Sequence, residues 1–395
     1  MDTKNFMFYL PTRIEFGLEK LDILGSEATR MGSKALIVSY KDKSLKQIIE
    51  TCVGLLSAAS VKSILFEEIE ANPTCQVVDQ GRDLAIKEKC DLVIGLGGGS
   101  AMDAAKAIAV CAVEKVDIWK IVEGRPIGKK PLPLILIPTT SGTGSEVTQY
   151  AVISNCELKR KEGFGRLEFY PRIAILDPLL TVGLPPALTA ATGMDALTHA
   201  IEGYTTRLTN PISDACSERA IELIANNIRM AVFDGKNIQA RYHLMLASML
   251  AGISITHADT SLAHVIGEAI GAVFNTNHGL SVSLALPAVM EYNCFTNIDR
   301  FARIAGLLGE KVNRLSLRDA AKLAPAAVRN LIKDLNLSQG LAQLGVSEND
   351  QVINLCCRPN MDASNLRPAG KHDFELLIKG SLSPHMSYWR LIGES

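Results

Sequence analysis

The chain has 395 residues, 47 % of them hydrophobic, with 41 basic side chains against 42 acidic ones. A chain of this length buries a large core but exceeds what one core comfortably holds, so two domains are expected. The balanced charge argues against nucleic acid, anionic membranes and strongly acidic ligands as partners, and it favours a small, nearly neutral substrate.

Neither export nor membrane insertion is expected. The N-terminal stretch Met1–Pro11 carries an acidic residue at once, and its apolar part is too short for a secretory signal. Apolar runs such as Pro131–Pro138 are far below the about 20 residues that span a bilayer. The nine cysteines include no C-x-x-C pair. This pattern is typical of reduced thiols and predicts a cytoplasmic protein.

Short β-rich runs alternate with longer amphipathic segments through the first half of the chain. Strands are predicted at 35–38, 62–66, 91–95 and 134–137, and helices at 44–58, 76–89 and 101–113. This alternation predicts a doubly wound, mainly parallel sheet, with a nucleotide site at the carboxyl ends of its strands.

Helical periodicity without β-rich runs follows after about Asp177, as in 214–232, 240–255 and 319–335. The two prolines of Leu184–Pro186 suit the end of a loop and the first turn of a helix. The predicted fold is therefore an α/β N-terminal domain, residues 1–183, followed by an all-α C-terminal domain, residues 184–395.

Three successive glycines, Gly97–Gly99, follow a predicted strand and lead through Ser100 into a predicted helix. Backbone N–H groups and the helix dipole suit an anion there. Ser100 occupies the place of the third glycine of G-x-G-x-x-G, so an ordinary strand-to-helix turn stays open as an alternative.

A second polar loop, Pro138–Glu146, also follows a predicted strand. Its hydroxyl groups, on Thr139, Thr140 and Thr143 among others, suit phosphate and ribose oxygens. Two such loops together favour a bound nucleotide or phosphate.

Asp195 and His199 lie four residues apart in a helical pattern, which turns a carboxylate and an imidazole the same way. His264 lies in the helical run 260–272, and His278 follows a short break. One carboxylate with three imidazoles suits Fe²⁺, Zn²⁺ or a similar ion, although such residues are often ordinary surface or core contacts. The ordinary interpretation is kept for His243, His257, His372 and His385.

The motifs GGGS-x-x-D-x-x-K, P-T-T-x-G-T-x-x-E and G-x-D-A-L-T-H-A-I-E, with His264 and His278-Gly279 after them, together resemble the iron-containing (group III) alcohol dehydrogenase family. The resemblance covers nearly the whole chain, and Pro11–Gly17 is similar to the family's first hairpin. It implies a metal-dependent dehydrogenase that uses NAD or NADP on a small alcohol or aldehyde. A homo-oligomer, such as a dimer, is also implied.

The resemblance makes Asp195, His199, His264 and His278 the ligands of Fe²⁺, with Zn²⁺ or another divalent ion possible. It further implies that the nicotinamide cofactor contacts Asn72, Gly97, Gly98, Gly99, Ser100, Asp103, Thr139, Thr140, Thr143 and Lys161.

Three features depart from the family pattern. Tyr40 stands where many members have an aspartate that holds the adenosine ribose; without that carboxylate, and with Lys41 and Lys43 nearby, NADP is expected to be tolerated or preferred. Glu268 replaces a histidine and is the candidate catalytic residue, as a base, a contact for a cationic or hydroxylated substrate, or a further metal ligand. The family's N-P-R segment survives only loosely within 360–370.

Other functions remain open at this stage. A lyase of the dehydroquinate synthase type would need several lysines and arginines for a phosphorylated, carboxylated substrate, and the segment after Asp195 offers few. A metal-free reductase and a non-catalytic nucleotide-binding protein are further alternatives of the same fold.

Overall fold

The structure is a computed structural model that describes residues 5–337 and 340–393. It divides into two compact units, one formed by residues 9–184 and the other by 185–393 with residues 5–8. The predicted division placed residues 5–8 in the first unit. They lie in the second, where Phe8 stacks on His257 with ring centroids 4.3 Å apart. Local periodicity carries no signal for such a long-range contact.

The first unit contains all the described strands: β1 (Arg13–Phe16), β2 (Lys34–Tyr40), β3 (Lys62–Ile69), β4 (Leu92–Gly97), β5 (Leu134–Pro138), β6 (Tyr150–Asn155), β7 (Arg160–Gly165) and β8 (Ile173–Leu176). Six of them form a parallel sheet in the order β1-β8-β5-β4-β2-β3. The strand order reverses between β2 and β4, which is where ligands bind in open α/β sheets.

Helices cover both faces of this sheet: α1 (Leu24–Thr29), α2 (Lys46–Ala58), α3 (Cys75–Lys87), α4 (Gly99–Glu114) and α5 (Ile118–Val122). Successive side chains of β2 point to opposite faces, so Leu36 and Val38 join one core and Ile37 joins the other. Burial on both faces explains the continuous apolar runs in the sequence. The predicted doubly wound, mainly parallel sheet is confirmed.

Two local features of this unit differ from expectation. Pro11–Gly17 does not form a hairpin, because β1 pairs in parallel with the distant β8, with Ile14 opposite Ala174. The antiparallel hairpin β6-β7 was not predicted, since β7 has the sequence RKEGFG, which lacks an apolar run. In both cases pairing with another strand decides the conformation, and the local sequence pattern does not.

The second unit is helical throughout its described residues. Its helices are α6 (Pro186–Thr205), α7 (Pro211–Phe233), α8 (Ile238–Ala258), α9 (Leu262–Phe274), α10 (His278–Asn293), α11 (Ile298–Leu307), α12 (Leu317–Asp334), α13 (Asp350–Cys356), α14 (Lys371–Ser381) and α15 (Tyr388–Gly393). Pro186 occupies the first turn of α6, as predicted. No helix within the described ranges is both long and apolar enough to cross a membrane.

One continuous hydrophobic core holds α6, α9 and α10 together, with Leu197 and Ile201 of α6, Ile270 of α9 and Leu284 of α10 among its members. Close packing of these helices requires small residues at their contacts. A Cβ on Gly267 of α9 would meet Val282 of α10 at 2.4 Å. This close approach brings the polar side chains of the three helices together.

Candidate metal and cofactor sites

Asp195, His199 and His264 converge in the buried interior of the helical unit. Their candidate ligand atoms all lie within 4.8 Å of one another. Asp195 Oδ1 is 4.0 Å from His199 Nδ1 and 3.9 Å from His264 Nε2, and the two imidazole rings stack with centroids 4.4 Å apart. Two ligands about 2.1 Å from one ion lie about 3.4 Å apart at the tetrahedral angle, so this set would close by about half an ångström around an ion.

The chemistry of this set fits a divalent ion. His264 is 5 % exposed, and its Nε2 has no hydrogen-bond partner among the described residues. A buried imidazole nitrogen without such a partner is costly unless it binds something. An imidazole nitrogen beside a carboxylate oxygen is the donor set that Fe²⁺ and Zn²⁺ accept.

His278, the first residue of α10, faces the same carboxylate oxygen, with Nε2 3.9 Å from Asp195 Oδ1. It lies outside the compact set of three, and its side chain is 25 % exposed. Gly279 allows this approach, since a Cβ there would lie 2.5 Å from the Ala191 carbonyl oxygen of α6. Three of the four expected ligands, the imidazoles, therefore gather around an oxygen atom of the fourth, Asp195.

Glu202 is a site residue that sequence reasoning missed. It follows Asp195 by seven residues on α6 and is 2 % exposed. Its carboxylate accepts hydrogen bonds from His264 Nδ1 (2.5 Å), Ala263 N (2.7 Å) and Ser261 N (3.1 Å). A carboxylate in this position sets the imidazole tautomer, so that the lone pair is on Nε2. The heptad spacing from Asp195 was the available signal.

The charges around His264 oppose the effect of burial on its pKa. Burial lowers the pKa, while the hydrogen bond and charge of Glu202 and the charges of Asp195 and Glu268 raise it above the ordinary value. The carboxylates therefore raise the pKa of His264 by more than burial lowers it. These carboxylates therefore favour positive charge at this position.

Asn365 gives the loosely matching segment 360–370 a definite place beside the site. Its buried side chain accepts hydrogen bonds from Ser261 Oγ (2.6 Å) and Asn293 Nδ2 (2.7 Å). Ser261 in turn donates to Glu202. Glu202 therefore connects the metal ligands to the C-terminal segment.

Glu268 lies one helical turn after His264 on α9, so both side chains leave the same face of the helix. It is half-buried, and its charge acts on His264. Glu268 therefore lies on the face of α9 that carries His264.

In the α/β unit, the two predicted loops pack directly against each other. Gly97 has φ +148°, which side chains rarely adopt, and a Cβ on Gly99 would lie 2.6 Å from Thr143 Cγ2. A Cβ on Gly98 would lie 3.4 Å from Thr140 and from the Tyr40 hydroxyl, and Thr139 N donates to the Gly97 carbonyl. These glycines leave a cradle beside Ser100 in the first turn of α4 that suits a pyrophosphate.

Asp103 and Lys106 of α4 connect the glycine cradle to the second loop through buried hydrogen bonds. Asp103 accepts hydrogen bonds from Ser145 Oγ (2.6 Å) and Val152 N (3.0 Å). The fully buried Lys106 donates to Ser145 Oγ (2.8 Å), Thr148 Oγ1 (3.2 Å) and the Tyr150 carbonyl (2.6 Å). Burial lowers the pKa of Lys106 to about 8 and raises that of Asp103. These hydrogen bonds hold Asp103 against the second loop, and its role as a cofactor contact stays a prediction. Lys106 had no predicted role.

The outlying residues Asn72 and Lys161 also meet. Lys161 Nζ donates to Asn72 Oδ1 at 2.9 Å, and the charge of Lys161 acts on Asp103. All the predicted cofactor residues therefore belong to one connected region of the α/β unit.

Tyr40 ends β2 beside the glycine cradle, and its hydroxyl accepts a hydrogen bond from Ala101 N (3.2 Å). A surface cavity of about 530 Å³ opens there. Its lining has two lysines and four carboxylates, on Tyr40, Lys41, Asp42, Lys43, Glu67, Glu68, Ile69 and Glu70. The carboxylates from β3 and its end were not considered in the sequence-based expectation for NADP.

Comparison with known proteins shows the family to which this chain belongs. Residues 11–178 match the family described as iron-containing alcohol dehydrogenase, and residues 189–382 match the C-terminal domain of the Fe-containing alcohol dehydrogenase family. The chain is 37 % identical over 355 residues to the 1,3-propanediol dehydrogenase of Klebsiella pneumoniae, covering 89 % of this chain and 91 % of that protein. The chain belongs to the iron-containing alcohol dehydrogenase family.

Other family members support the same assignment. The choline dehydrogenase of Bacillus subtilis (strain 168) is 38 % identical over 344 residues, covering 86 % of this chain and 85 % of that protein. The crystal structure of a 1,3-propanediol oxidoreductase matches with a TM-score of 0.92 and 34 % identity, over 96 % of this chain and all of the other. The predicted class, a metal-dependent, nicotinamide-linked alcohol dehydrogenase or aldehyde reductase, is confirmed. Membership implies a divalent metal, typically iron, and NAD.

Proposed function

We propose that this enzyme interconverts small alcohols and their aldehydes at a site where Asp195, His199, His264 and His278 hold Fe²⁺. The convergence of the three imidazoles on one buried carboxylate oxygen of Asp195 carries the proposal. Zn²⁺ is accepted by the same donor set. Gly97–Ser100, Asp103, Thr139, Thr140 and Thr143 would bind the nicotinamide cofactor, and Asn72 and Lys161 would contact it from the edge of the same region.

When bound, the ion would polarise the substrate oxygen as a Lewis acid, and the nicotinamide would exchange the hydride. The chain's own residues hold and orient these groups. Glu202 keeps the proton of His264 on Nδ1, which leaves Nε2 as a ligand atom. The surrounding core excludes water from His199 and His264, which strengthens every charge interaction at the site.

We place Glu268 in the catalytic site. Its carboxylate leaves α9 on the same face as His264 and is half-buried. There it can take up the alcohol proton or contact a hydroxylated or cationic substrate.

The metal requirement tests the function directly. Metal-free protein, reconstituted anaerobically with Fe²⁺ and in parallel with Zn²⁺, is expected to oxidise members of a panel of short alcohols, with nicotinamide absorbance as the readout. Metal-free protein treated identically is the control and is expected to show no turnover. Equal rates with and without metal would refute the proposal and favour a metal-free reductase.

Cofactor choice is a separate prediction. Tyr40 offers no carboxylate against a 2′-phosphate, while Glu67, Glu68 and Glu70 line the adjacent cavity. This mixture of lysines and carboxylates indicates that the enzyme accepts NADP but does not prefer it to NAD. The kcat/KM for NADP is expected to lie within about tenfold of that for NAD, and Tyr40→Asp is expected to lower the NADP value by at least about tenfold more than the NAD value.

Tyr40→Phe is the matched control, because it keeps the ring and adds no charge. Its NADP-to-NAD ratio should equal that of the unmodified enzyme. A preference of the unmodified enzyme for NAD of about 100-fold or more would contradict the prediction. A preference of that size would indicate that a negative charge already repels the 2′-phosphate, since a single like-charge contact costs several kcal/mol.

The lyase alternative loses support from the helices around the metal ligands. α6, α9 and α10 contain no lysine or arginine to bind a phosphorylated, carboxylated substrate.

We further propose a cytoplasmic homodimer. All nine cysteines are free thiols, which agrees with a reducing compartment, and the oligomer follows from the family resemblance. Gel filtration with light scattering would test the dimer.

A further inference from the structure

Asn365 connects the three helices that carry the expected metal ligands. Its side-chain oxygen accepts hydrogen bonds from Ser261, the N-cap of α9 (2.6 Å), and from Asn293, the last residue of α10 (2.7 Å). Its backbone carbonyl accepts two more from the guanidinium of Arg207, which follows α6 (3.0 and 2.7 Å). Asn365 therefore joins the start of α9 to the ends of α6 and α10.

The side-chain amide of Asn365 uses its full hydrogen-bonding capacity. Its nitrogen donates to Asn293 Oδ1 (3.0 Å) and to the Arg367 carbonyl (2.6 Å), in addition to the two hydrogen bonds that its oxygen accepts. Two donated and two accepted hydrogen bonds are all that a carboxamide forms with a full set of partners. The residue is 1 % exposed, so a different side chain here would leave buried polar groups without partners.

Ser261 departs from the usual behaviour of an N-cap serine. An N-cap hydroxyl ordinarily accepts a hydrogen bond from the first turn of its own helix, but the hydroxyl of Ser261 makes no such bond and donates to Asn365. The backbone N–H groups of Ser261 and Ala263 donate instead to Glu202 of α6 (3.1 and 2.7 Å). The first turn of α9 is therefore held by Glu202 and Asn365, which are both distant in the chain.

This same turn carries the expected ligand His264, whose Nδ1 donates to Glu202 at 2.5 Å. A shift at the start of α9 would move the imidazole relative to Asp195, whose Oδ1 lies 3.9 Å from His264 Nε2. Metal sites tolerate only small displacements, since coordination distances vary by about 0.2 Å. The position of Ser261 therefore affects the geometry of the expected ligands.

We propose that Asn365 is a positioning residue for the metal site, which acts through Ser261 and Glu202 to hold His264 in the orientation that binds the ion. This inference rests on the proposed metal-dependent function. Asn293 extends the connection, because it ends the helix that the expected ligand His278 begins. Helices that are fixed to one another in advance need little reorganisation when the ion binds, which favours tight binding.

Metal affinity and ligand geometry test this role without a measurement of activity. Metal-free protein is titrated with Co²⁺, which accepts imidazole and carboxylate ligands and whose visible absorption depends on their arrangement. Ser261→Ala and Asn365→Ala are each expected to lower the affinity for Co²⁺ about 10- to 100-fold. Both should also change the absorption bands at saturating Co²⁺. Ser261→Thr keeps the hydroxyl and should retain the affinity and the absorption of the unmodified protein.

Tyr292→Phe is the matched control. The hydroxyl of Tyr292, on α10, donates to the Pro368 carbonyl at 2.6 Å, so this variant also removes a hydrogen bond between α10 and the C-terminal segment. It keeps the contacts of Asn365 and should bind Co²⁺ with unchanged affinity and absorption. The double variant Ser261→Ala/Asn365→Ala should bind Co²⁺ within about twofold of Asn365→Ala, because both changes break the same connection.

The outcomes separate the positioning role from the proposed function. Unchanged Co²⁺ affinity and absorption in Ser261→Ala and Asn365→Ala would overturn the positioning role and leave the metal site intact, even if both variants melted at a lower temperature. If Asn365→Ala does not fold, Ser261→Ala decides, because it removes one hydrogen bond and keeps the amide. Failure of the unmodified protein to bind Co²⁺ would overturn the metal-dependent function together with this inference.

Discussion

Asp195→Asn is expected to lower kcat/KM for alcohol oxidation by a factor on the order of 10³ or more and to leave the purified protein nearly free of iron. The carboxylate oxygen of Asp195 lies 3.9 to 4.0 Å from nitrogens of His199, His264 and His278 and supplies the negative charge among the four expected ligands. An amide keeps the shape but removes that charge. Loss of a residue that only hydrogen-bonds to a metal ligand weakens metal binding about 10- to 100-fold. Loss of the ligand carboxylate itself should therefore weaken metal binding by more than that factor.

Metal content per chain and kcat/KM are measured on the same preparations, with thermal unfolding to show that the variant folds. Asp299→Asn, at an exposed position in the first turn of α11, is the control and should bind iron normally. Glu202→Gln should fall between the two, with metal affinity reduced about 10- to 100-fold. Full iron occupancy in Asp195→Asn would contradict the assignment of the metal site.

Lys106→Met is expected to reduce the free energy of unfolding of the α/β unit by about 3–5 kcal/mol. The ammonium group is fully buried and donates three hydrogen bonds, which join α4 to the loop after β5 and to β6. Removing it leaves the buried carboxylate of Asp103, 3.9 Å away, without its positive neighbour. A buried charge that loses its partner costs far more than an exposed one.

Urea unfolding followed by circular dichroism measures this effect. Lys120→Met is the matched control, because its side chain is 60 % exposed and its ion pair with Asp117 spans 3.8 Å. A loss of at most about 1 kcal/mol is expected there. If the two variants were equally stable, the buried network would not hold the two cofactor loops together. A weaker affinity for NAD in Lys106→Met should accompany its instability, since Ser145 and Thr143 lie in the same loop.

Much of the α/β unit was predictable from local patterns. The apolar runs of β2, β4 and β5 are buried on both faces, so they contain little besides hydrophobic residues and stand out in the sequence. The edge strand β1 and the hairpin β6-β7 were not recognised, because their patterns are mixed and their pairing partners decide their conformation. The partner of β1 is distant in the chain and leaves no local signal, while β7 pairs with its neighbour β6 but has no apolar run to mark it.

The candidate metal ligands were predicted from spacing and from resemblance, since Asp195 and His199 are one helical turn apart and His264 and His278 belong to an ordered series of motifs. Glu202 was overlooked. Its role depends on accepting a hydrogen bond from His264, a residue of another helix 62 positions away. The place of Asn365 beside Ser261 was equally hidden, because 104 residues separate them.

The sequence by itself thus determined the alternation of the central strands and their helices, the glycine cradle and the candidate ligands, because these depend on neighbours within a few turns of the chain. Only the tertiary structure decided which charges surround the ligands. Packing of α6, α9 and α10 through Gly267 and Gly279 sets the distances to Asp195, and it places Glu202 and Glu268 around His264. Electrostatic interactions depend on distance in space, which side-chain contacts between helices determine and sequence separation does not.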